Sequence, residues 1–381
     1  AHTQLSANVR EWTDAEVKVL DAKALNLTCE ETLKIIFEIE PDLIYMGDMI
    51  QPSGVAATIP RYHEVAELIK KKNPKIKICT GGFYYGACAK ETLEKTPQLD
   101  FVIAGETEIT LVELVKELSK SDPDIESIKG LAYRDVSGSC KLTEYRKLIE
   151  DLDILPLPAY DLFPMEKYIG FGCISPYAET YCSRGCPNGC RFCAGWTTVD
   201  PRGDKDWTKY RAKSARKVAD ELELLGKKYN VKYVTMQDED FNVHRERIEE
   251  LIDELKQRNL DLVFFFMGRA PYFLRDADLL ADLRSVGFVQ GLFGLEAVDE
   301  ETLKKINKGI TVDEVKEAVK IFRENGIMSV VSWMIGFPDD DEEKIKERFY
   351  RLNQIDPDIV ALHIMTPLPG ILMYDEVAPY T

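Results

Sequence analysis

Residues 186–193 read Cys186-Pro187-Asn188-Gly189-Cys190-Arg191-Phe192-Cys193, and this stretch decides how the fold of the chain is interpreted. It places three cysteines at C-x3-C-x2-C spacing in a segment that proline and glycine bend into a loop. Three thiolates can bind three irons of a [4Fe–4S] cube and leave the fourth iron without a protein ligand, whereas four protein ligands are usual for electron transfer. The stretch therefore predicts an iron–sulfur cluster whose open iron binds a small molecule.

A zinc site or a set of disulfides is the alternative interpretation of these cysteines. Zinc sites typically combine a C-x2-C pair with a second pair or with histidines, and the sequence has no second pair. The chain contains 9 cysteines without regular pairing, which fits a reducing compartment better than secretion. Both observations favour the cluster.

The cysteine spacing, with the aromatic Phe192 before the third cysteine, resembles the signature of the radical S-adenosylmethionine (SAM) superfamily. In that family the amino and carboxylate groups of SAM chelate the open iron. The wider segment from Cys182 to Pro187 is similar to the form found where a cobalamin-binding domain precedes the radical domain. The resemblance implies Cys186, Cys190 and Cys193 as cluster ligands and Phe192 as a contact of SAM.

Length and composition limit the class of protein. The chain has 381 residues, 45% of them hydrophobic, which is enough for two domains with packed cores. Its formal net charge of -17 argues against general nucleic-acid binding, for which a basic face is typical. We find no apolar run of about 18 residues and no signal peptide, so the sequence predicts a cytoplasmic protein. Both ends are abrupt, and we expect a piece of a longer protein that lacks a first strand and a C-terminal extension.

The first half alternates strand and helix patterns, which predicts an α/β domain with a doubly wound parallel sheet and ligands at the carboxyl ends of its strands. The predicted strands are 17–21, 41–47, 76–80 and 101–104. The predicted helices are 29–39, 62–72, 88–94 and 110–118.

The order of Pro41-Asp42-Leu43-Ile44, Gly81-Gly82 and Gly105-Glu106 resembles the cobalamin-binding domain of many radical enzymes, over residues 14–120. Ordinary turn glycines are the alternative for Gly81 and Gly82. The sequence lacks the D-x-H-x-x-G motif whose histidine binds cobalt, and His63 lies on a predicted helix, so the resemblance implies cobalamin without a histidine ligand. The expected cobalamin contacts are Asp48, Ser53, Gly81, Gly82, Gly105 and Glu106.

The second half repeats the alternation six times and resembles the partial (β/α)6 barrel of radical SAM enzymes. The predicted strands are 180–182, 231–236, 262–267, 289–294, 328–335 and 359–365. The predicted helices are 213–229, 244–258, 276–286, 312–325 and 341–354. A proline-rich segment marks a boundary. We therefore predict a Rossmann-like cobalamin domain over 1–145, a linker over 146–172 and the barrel over 173–381.

Active sites of such barrels lie at the carboxyl ends of the strands, which selects the candidate SAM contacts. A helix N-terminal acidic cap is the alternative for the residues after the second strand, and a surface salt bridge is the alternative for the arginine after the third. Lys308 is interpreted as a cation at the end of a helix. The candidates are Gln237, Asp238, Asp240, Arg269, Glu296 and Arg211.

The resemblance implies reductive cleavage of SAM to a 5′-deoxyadenosyl radical, hydrogen abstraction from an unactivated C–H bond, and methyl transfer from cobalamin. We expect a small-molecule or lipid substrate, an electron donor such as flavodoxin or ferredoxin, and no nucleic-acid partner. An oxidative cyclase of the magnesium-protoporphyrin ester type is the alternative with the same cofactors. A tRNA methylthiotransferase would show further cluster cysteines and a basic RNA-binding module, and a cobalamin sensor would not need the three cysteines.

Overall fold

The computed structural model describes residues 2–47, 52–170, 173–193, 210–368 and 370–380, without the side chains of residues 52–59, 83 and 84. The N-terminal part contains one sheet in the order β1-β2-β3-β4-β5. Its strands are β1 (Leu43–Tyr45), β2 (Lys77–Thr80), β3 (Phe101–Ile103), β4 (Leu131–Arg134) and β5 (Cys140–Leu142). Its helices are α1 (His2–Trp12), α2 (Cys29–Ile39), α3 (Pro52–Lys72), α4 (Phe83–Ala87), α5 (Ala89–Lys95) and α6 (Thr107–Leu118).

The first three strands of this sheet are parallel, as the alternating pattern predicts. Strands β4 and β5 extend it as an antiparallel pair, which the sequence analysis missed. The strand predicted over 17–21 is wrong, because this segment has no regular structure. Val17 packs against the core cluster that contains α1 and α6 residues, so its alternating pattern reflects the packing of a connecting segment.

The C-terminal part contains a parallel sheet in the order β13-β12-β11-β10-β9-β6. Its strands are β6 (Tyr177–Thr180), β9 (Tyr233–Met236), β10 (Val263–Gly268), β11 (Phe288–Glu296), β12 (Met328–Ile335) and β13 (Ile359–Ile364), and a separate ribbon pairs β7 (Ser183–Arg184) with β8 (Arg211–Ala212). Its helices are α7 (Ala215–Tyr229), α8 (Arg245–Arg258), α9 (Ala270–Arg275), α10 (Leu280–Ser285), α11 (Glu300–Lys305), α12 (Val312–Glu324), α13 (Glu342–Asn353) and α14 (Tyr374–Val377). Neighbouring strands follow the chain order, as in an open barrel of βα units.

The alternation of side chains along β10 builds the barrel core on both of its faces. Phe264 and Phe266 are fully buried in the large cluster that also contains residues of the surrounding helices. Phe265 belongs to a smaller cluster with Tyr233 and Val330 from neighbouring strands. The strands are therefore fixed from both sides, which holds their carboxyl ends in place.

The helices begin at residues that favour helix starts. Ser214 and Thr311 accept hydrogen bonds from backbone amides in the first turns of α7 and α12. Thr311 and Glu314 form a reciprocal capping box, which satisfies two amides that the helix leaves free. None of the described helices has the length and apolar character needed to span a membrane.

The two sheets are separated by the proline-rich segment. The last strand of the first sheet ends at Leu142, and the first strand of the second begins at Tyr177. Between them the chain forms short 3-10 turns, among them Leu152–Ile154 and Tyr160–Leu162. The domain boundaries after residues 145 and 172 remain predictions.

Candidate active site at the cysteine loop and the domain boundary

The cysteine loop leaves β7 through Gly185, whose φ of 81° is accessible to glycine without strain. It is anchored from both sides, since the Arg191 amide donates to the Ile306 carbonyl at 2.9 Å and the Met373 amide donates to the Arg191 carbonyl at 3.2 Å. The Asn307 side chain also donates to the Gly189 carbonyl at 2.7 Å. The loop is therefore held between the end of α11 and the segment before α14.

The three cysteines of this loop are shielded to different degrees. Cys190 is buried, and Cys186 and Cys193 are partly buried. Among the residues that the structure describes, no three His, Cys, Asp or Glu side chains converge as a ready metal site. The assignment of the three cysteines to a cluster therefore rests on their spacing in one anchored loop and on the charged groups around them.

Asp240 lies against this loop at the end of the segment that follows β9. Its Oδ2 accepts a hydrogen bond from Nδ2 of Asn188 at 3.2 Å, and the same Nδ2 lies 3.3 Å from Sγ of Cys186. The side chain of Asp240 is fully buried, and its Oδ1 has no hydrogen-bond partner in the structure. A buried carboxylate oxygen without a donor is costly, so Asp240 suits a cationic or hydrogen-bonding ligand beside the loop.

Electrostatics support the same interpretation of Asp240. Burial raises the pKa of Asp240 to about 7, although the charges of Arg269 and Lys308 act in the opposite direction. A positively charged ligand group would restore the carboxylate form, because an opposite charge at short range favours ionisation.

Arg269 and Lys308 place two buried cations beside Cys190. Nη1 of Arg269 lies 3.7 Å from Sγ of Cys190, and its Nη2 donates to the carbonyl groups of Lys308 and Gly309. Nζ of Lys308 lies 5.7 Å from the ring centroid of Phe192, the predicted SAM contact before the third cysteine. Cationic groups at this distance stabilise thiolate and the negative charge of an anionic ligand.

Glu296 ends β11 and fixes Lys308. Its Oε1 accepts from Nζ of Lys308 at 3.0 Å, and its Oε2 accepts from Oγ of Ser332 at 2.8 Å. Burial alone would lower the pKa of Lys308, but the Glu296 carboxylate raises it above its ordinary value. Lys308 follows the end of α11, and the structure adds that it is buried and paired with Glu296; the sequence around it carries no signal for this partner on a distant strand.

Asp238 and Gln237 follow the same strand as Asp240 but have different surroundings. Oδ1 of Asp238 accepts from the Cys182 amide at 3.1 Å and from the Ser183 hydroxyl, which holds the entry to β7. Gln237 is half-buried, and its backbone amide donates to the Thr180 carbonyl at 2.8 Å. The structure thus brings Asp240, Arg269, Glu296 and the cysteine loop together. The described hydrogen bonds of Asp238 are with Cys182 and Ser183, which precede the loop, and its buried Oδ2, like Oδ1 of Asp240, accepts no hydrogen bond among the described residues.

Four of the six predicted cobalamin contacts lie at the carboxyl ends of β2 and β3: Gly81, Gly82, Gly105 and Glu106. Gly82 and Gly105 have φ values of 102° and 82°, which non-glycine residues rarely adopt, and both line a cleft of about 200 Å³. A Cβ at Gly81 would lie 3.1 Å from the Cβ of Ile103, so the backbone passes close to β3 there. The backbone of Gly82 and Gly105 at this cleft fits a group that contacts the main chain closely, as cobalamin would, whereas the space beside Gly81 is taken by Ile103 and Tyr45. Asp48 lies outside the described residues, and so does the side chain of Ser53.

The same cleft is bounded by the barrel, so it lies between the two domains. Glu179, Tyr181 and Glu239 line it from the carboxyl ends of β6 and β9, opposite Gly82 and Gly105. The strand ends of both sheets therefore face one space, which continues to Arg184 at the start of the cysteine loop.

The predicted SAM contact Arg211 and the predicted cobalamin contact Glu106 meet each other at this boundary. Nη1 of Arg211 lies 3.0 Å from both carboxylate oxygens of Glu106 and donates to the Ile149 carbonyl at 2.6 Å. Arg184 also binds Glu106, at 2.8 Å, and binds Glu108 at 2.6 Å. Arg184, Glu108, Asn188 and Lys308 were missed as functional candidates. Two of them had a sequence signal: Asn188 lies between two of the cysteines, and Arg184 lies in the 182–187 segment that carries the resemblance.

Comparisons with known proteins agree with both halves of this architecture. The family model described as "Radical SAM superfamily" matches residues 180–349 of this chain, and the model described as "B12 binding domain" matches residues 4–115. An uncharacterized methyltransferase of Pyrococcus horikoshii is 30% identical over 374 residues, which are 97% of this chain and 76% of that protein. The anaerobic magnesium-protoporphyrin IX monomethyl ester cyclase of Rubrivivax gelatinosus is 27% identical over 95% of this chain and 63% of its own length.

A solved structure shows the same fold. The cobalamin-dependent S-adenosylmethionine radical enzyme OxsB, with aqua-cobalamin and S-adenosylmethionine bound, superimposes with a TM-score of 0.76 at 20% identity. The superposition covers 99% of this chain and 52% of the OxsB chain, so this chain spans about half of that protein. The radical SAM domain implies a [4Fe–4S] cluster and SAM, and the B12-binding domain implies cobalamin. The chain belongs to the radical SAM enzymes that carry a B12-binding domain, a family that includes cobalamin-dependent methyltransferases and proteins of the magnesium-protoporphyrin ester cyclase type.

Proposed function

We propose that the chain catalyses methylation of an unactivated carbon in a small-molecule or lipid substrate. The observation that carries the proposal is the cleft between the domains, which Gly82 and Gly105 line together with Tyr181 and Glu239 and which extends to Arg184, two residues before Cys186. A reaction that uses both cofactors on one substrate needs them to face a common space, since the reacting groups must be held in contact. Bound there, the cluster with SAM would supply a radical able to abstract hydrogen, and cobalamin would supply a methyl group.

The residues of the cysteine loop would bind the cluster and position SAM. Cys186, Cys190 and Cys193 would hold the cluster, and the unpartnered Oδ1 of Asp240 would accept a hydrogen bond from the SAM ammonium group. Arg269 would pair with the SAM carboxylate, for which its buried guanidinium is suited.

Residues around that loop would shape the rest of the SAM site. Phe192 would pack against SAM, while Glu296 and Gln237 would contribute polar groups from the ends of β11 and β9. Lys308 would keep Glu296 oriented through their 3.0 Å ion pair. Glu296 and Lys308 are buried, and such shielding from water would limit side reactions of a radical.

The N-terminal domain would hold cobalamin at the strand ends. Gly82 and Gly105 would offer their backbone to a close contact, Gly81 would keep the chain packed against β3, and Glu106 bounds the same space. An electron donor of the flavodoxin or ferredoxin type would reduce the cluster.

The experiment that tests this function uses SAM with an isotopically labelled methyl group. Protein reconstituted anaerobically with iron, sulfide and cobalamin should transfer the label to carbon in the product and raise its mass by one methyl group. Products are sought by untargeted mass spectrometry in anaerobic extracts of small molecules and lipids. Label that stays in methionine, with a product that has gained oxygen from labelled water, would contradict methylation.

Oxidative cyclisation is the second candidate, because the Rubrivivax cyclase is 27% identical over 95% of this chain. This reaction would use the same described site up to the formation of the substrate radical. The isotope experiment separates the two, since cyclisation incorporates oxygen from water and transfers no methyl group.

A further inference from the structure

A buried ion-pair network connects the N-terminal domain to the cysteine loop. Arg184 and Arg211 pair directly across the β7–β8 ribbon. Arg184 lies two residues before Cys186. Arg211 is the first residue of β8, the next described strand after Cys193. The two arginines therefore stand at the two ends of the segment that contains the three cysteines.

A single carboxylate serves both arginines. Oε1 of Glu106 lies 2.8 Å from Nη1 of Arg184 and 3.0 Å from Nη1 of Arg211, and its Oε2 accepts from the Ile149 amide at 2.6 Å. The Glu106 side chain is only 7% exposed, and that of Arg211 only 8%. At such burial, charge-assisted hydrogen bonds are strong, and a change in one partner is transmitted to the others.

The same carboxylate belongs to the loop that bounds the cleft. Glu106 follows Gly105 directly, and both residues line the space between the domains. A ligand that contacts this loop can compete with Arg184 and Arg211 for the Glu106 carboxylate. It can also shift that carboxylate relative to the two arginines. Hydrogen bonds to a buried charged group are strong, so a modest rearrangement of this carboxylate has a measurable effect on ligand affinity.

We propose that binding of a corrinoid in the cleft and binding of SAM at the cysteine loop are coupled through Glu106, Arg184 and Arg211, with Arg184 as a positioning residue. The inference rests on the proposed function for the identity of the two ligands. Coupling between two binding sites is reciprocal, so SAM must change the affinity for the corrinoid by the same factor as the corrinoid changes the affinity for SAM.

The test uses protein with a reconstituted cluster and measures the dissociation constant of hydroxocobalamin by visible absorbance. The titration is done with and without saturating S-adenosylhomocysteine, which occupies the SAM site without being cleaved. We expect the two dissociation constants to differ at least about fivefold, the lower end of typical coupling. In Arg184→Gln their ratio should fall towards one.

Glu113→Gln is the matched control. Glu113 lies on α6, the helix that begins next to Glu106, but it pairs with Arg146 and has no contact with the ribbon among the described residues. The ratio in this variant should equal that of the unmodified protein. If Arg184→Gln does not fold, Glu108→Gln removes only the second partner of Arg184 and should reduce the ratio in part.

Two results would overturn the coupling. The first is equal hydroxocobalamin dissociation constants with and without S-adenosylhomocysteine in the unmodified protein. The second is an Arg184→Gln variant in which both dissociation constants rise by the same factor, so that their ratio is unchanged, as a merely structural role of Arg184 would give. These outcomes are independent of the function: methyl transfer without coupling refutes only this inference, and coupling without methyl transfer refutes only the proposed reaction.

Discussion

Nη1 of Arg184 lies 2.8 Å from Oε1 of Glu106, and this ion pair joins the strand that leads into the cysteine loop to the loop that bounds the cleft. Arg184 belongs to the C-terminal part of the chain and Glu106 to the N-terminal part, 78 residues earlier. Each residue lies next to a glycine with positive φ, Gly185 and Gly105, so the chain turns sharply at both positions. The geometry of the cysteine loop therefore depends on the N-terminal domain.

Replacing Cys186 by alanine should abolish cluster binding, because two thiolates cannot hold three irons of the cube. We expect reconstituted iron to fall to background and SAM cleavage to drop by about 10⁴-fold or more, the scale of losing an essential catalytic group. Iron and sulfide analysis and 5′-deoxyadenosine formation measure both effects.

Cys182→Ala provides the control for the first prediction. Cys182 is buried and lies four residues before Cys186, but its described backbone bonds to Asp238, Lys213 and Arg247 give it a packing role. This variant should retain the cluster. Full SAM cleavage by Cys186→Ala would refute the assignment of the loop.

Asp240→Asn should weaken SAM binding about 10- to 100-fold, since it removes the charge opposite the proposed ammonium group while keeping the side-chain shape. Equilibrium binding of S-adenosylhomocysteine to reconstituted protein measures the change. The control is Asp238→Asn, whose carboxylate accepts from the Cys182 amide and the Ser183 hydroxyl. Asp238→Asn should lower the free energy of unfolding and change the dissociation constant of S-adenosylhomocysteine less than Asp240→Asn does. An equal loss of affinity in both variants would contradict the role of Asp240.

Lys308→Met should lower the reduction potential of the cluster, because it removes a buried cation near Cys190 and leaves Glu296 unpaired. A shift of about 60 mV corresponds to 1.4 kcal/mol for one electron, and we expect a change of that order. Redox titration followed by electron paramagnetic resonance measures it. The loss of one partner of a buried ion pair should also cost about 3–5 kcal/mol of stability.

The double variant Lys308→Met with Glu296→Gln is the matched comparison. It restores the local net charge, so the potential should return towards that of the unmodified protein. An identical potential in the single variant and the unmodified protein would show that Lys308 does not act on the cluster.

The ion pair between Glu108 and Arg184 predicts a pH dependence of stability. Burial alone would raise the pKa of Glu108, but Arg184 lowers it below the ordinary value of 4.5. The stabilisation is therefore present above pH 4.5 and is lost as the pH falls through the lowered pKa of the folded state. Denaturant unfolding should show Glu108→Gln less stable than the unmodified protein by about 1–3 kcal/mol at pH 7.

The stability difference between Glu108→Gln and the unmodified protein should shrink as the pH falls below 4.5, because Glu108 is then protonated in the unfolded state first and in the folded state only below its lowered pKa. Glu113→Gln again serves as the control, since its partner Arg146 lies away from the cysteine loop in sequence. A stability difference that is constant from pH 7 to pH 3.5 would contradict the ion pair.

The sequence determined the elements that repeat with a simple period. Each predicted strand of the barrel overlaps a strand or directly adjoins one in the structure, because continuous apolar runs such as 262–267 are bounded by turn residues and alternate with amphipathic helices. The sequence also determined the cysteine loop, since its three cysteines lie within eight residues. The short antiparallel strands β4 and β5 escaped prediction because few residues carry each pattern, and Val17 shows that an extended connecting segment alternates in the same way.

Only the tertiary structure decided which charged residues meet. Glu106 and Arg211 were candidates for different cofactors, yet they form one ion pair across 105 residues of sequence. Lys308 became part of the site because the end of β11 brings Glu296 to within 3.0 Å of it. Local patterns encode turns, periods and ligand spacing, whereas pairing between distant side chains depends on how two packed domains are oriented, and no window of sequence contains that information.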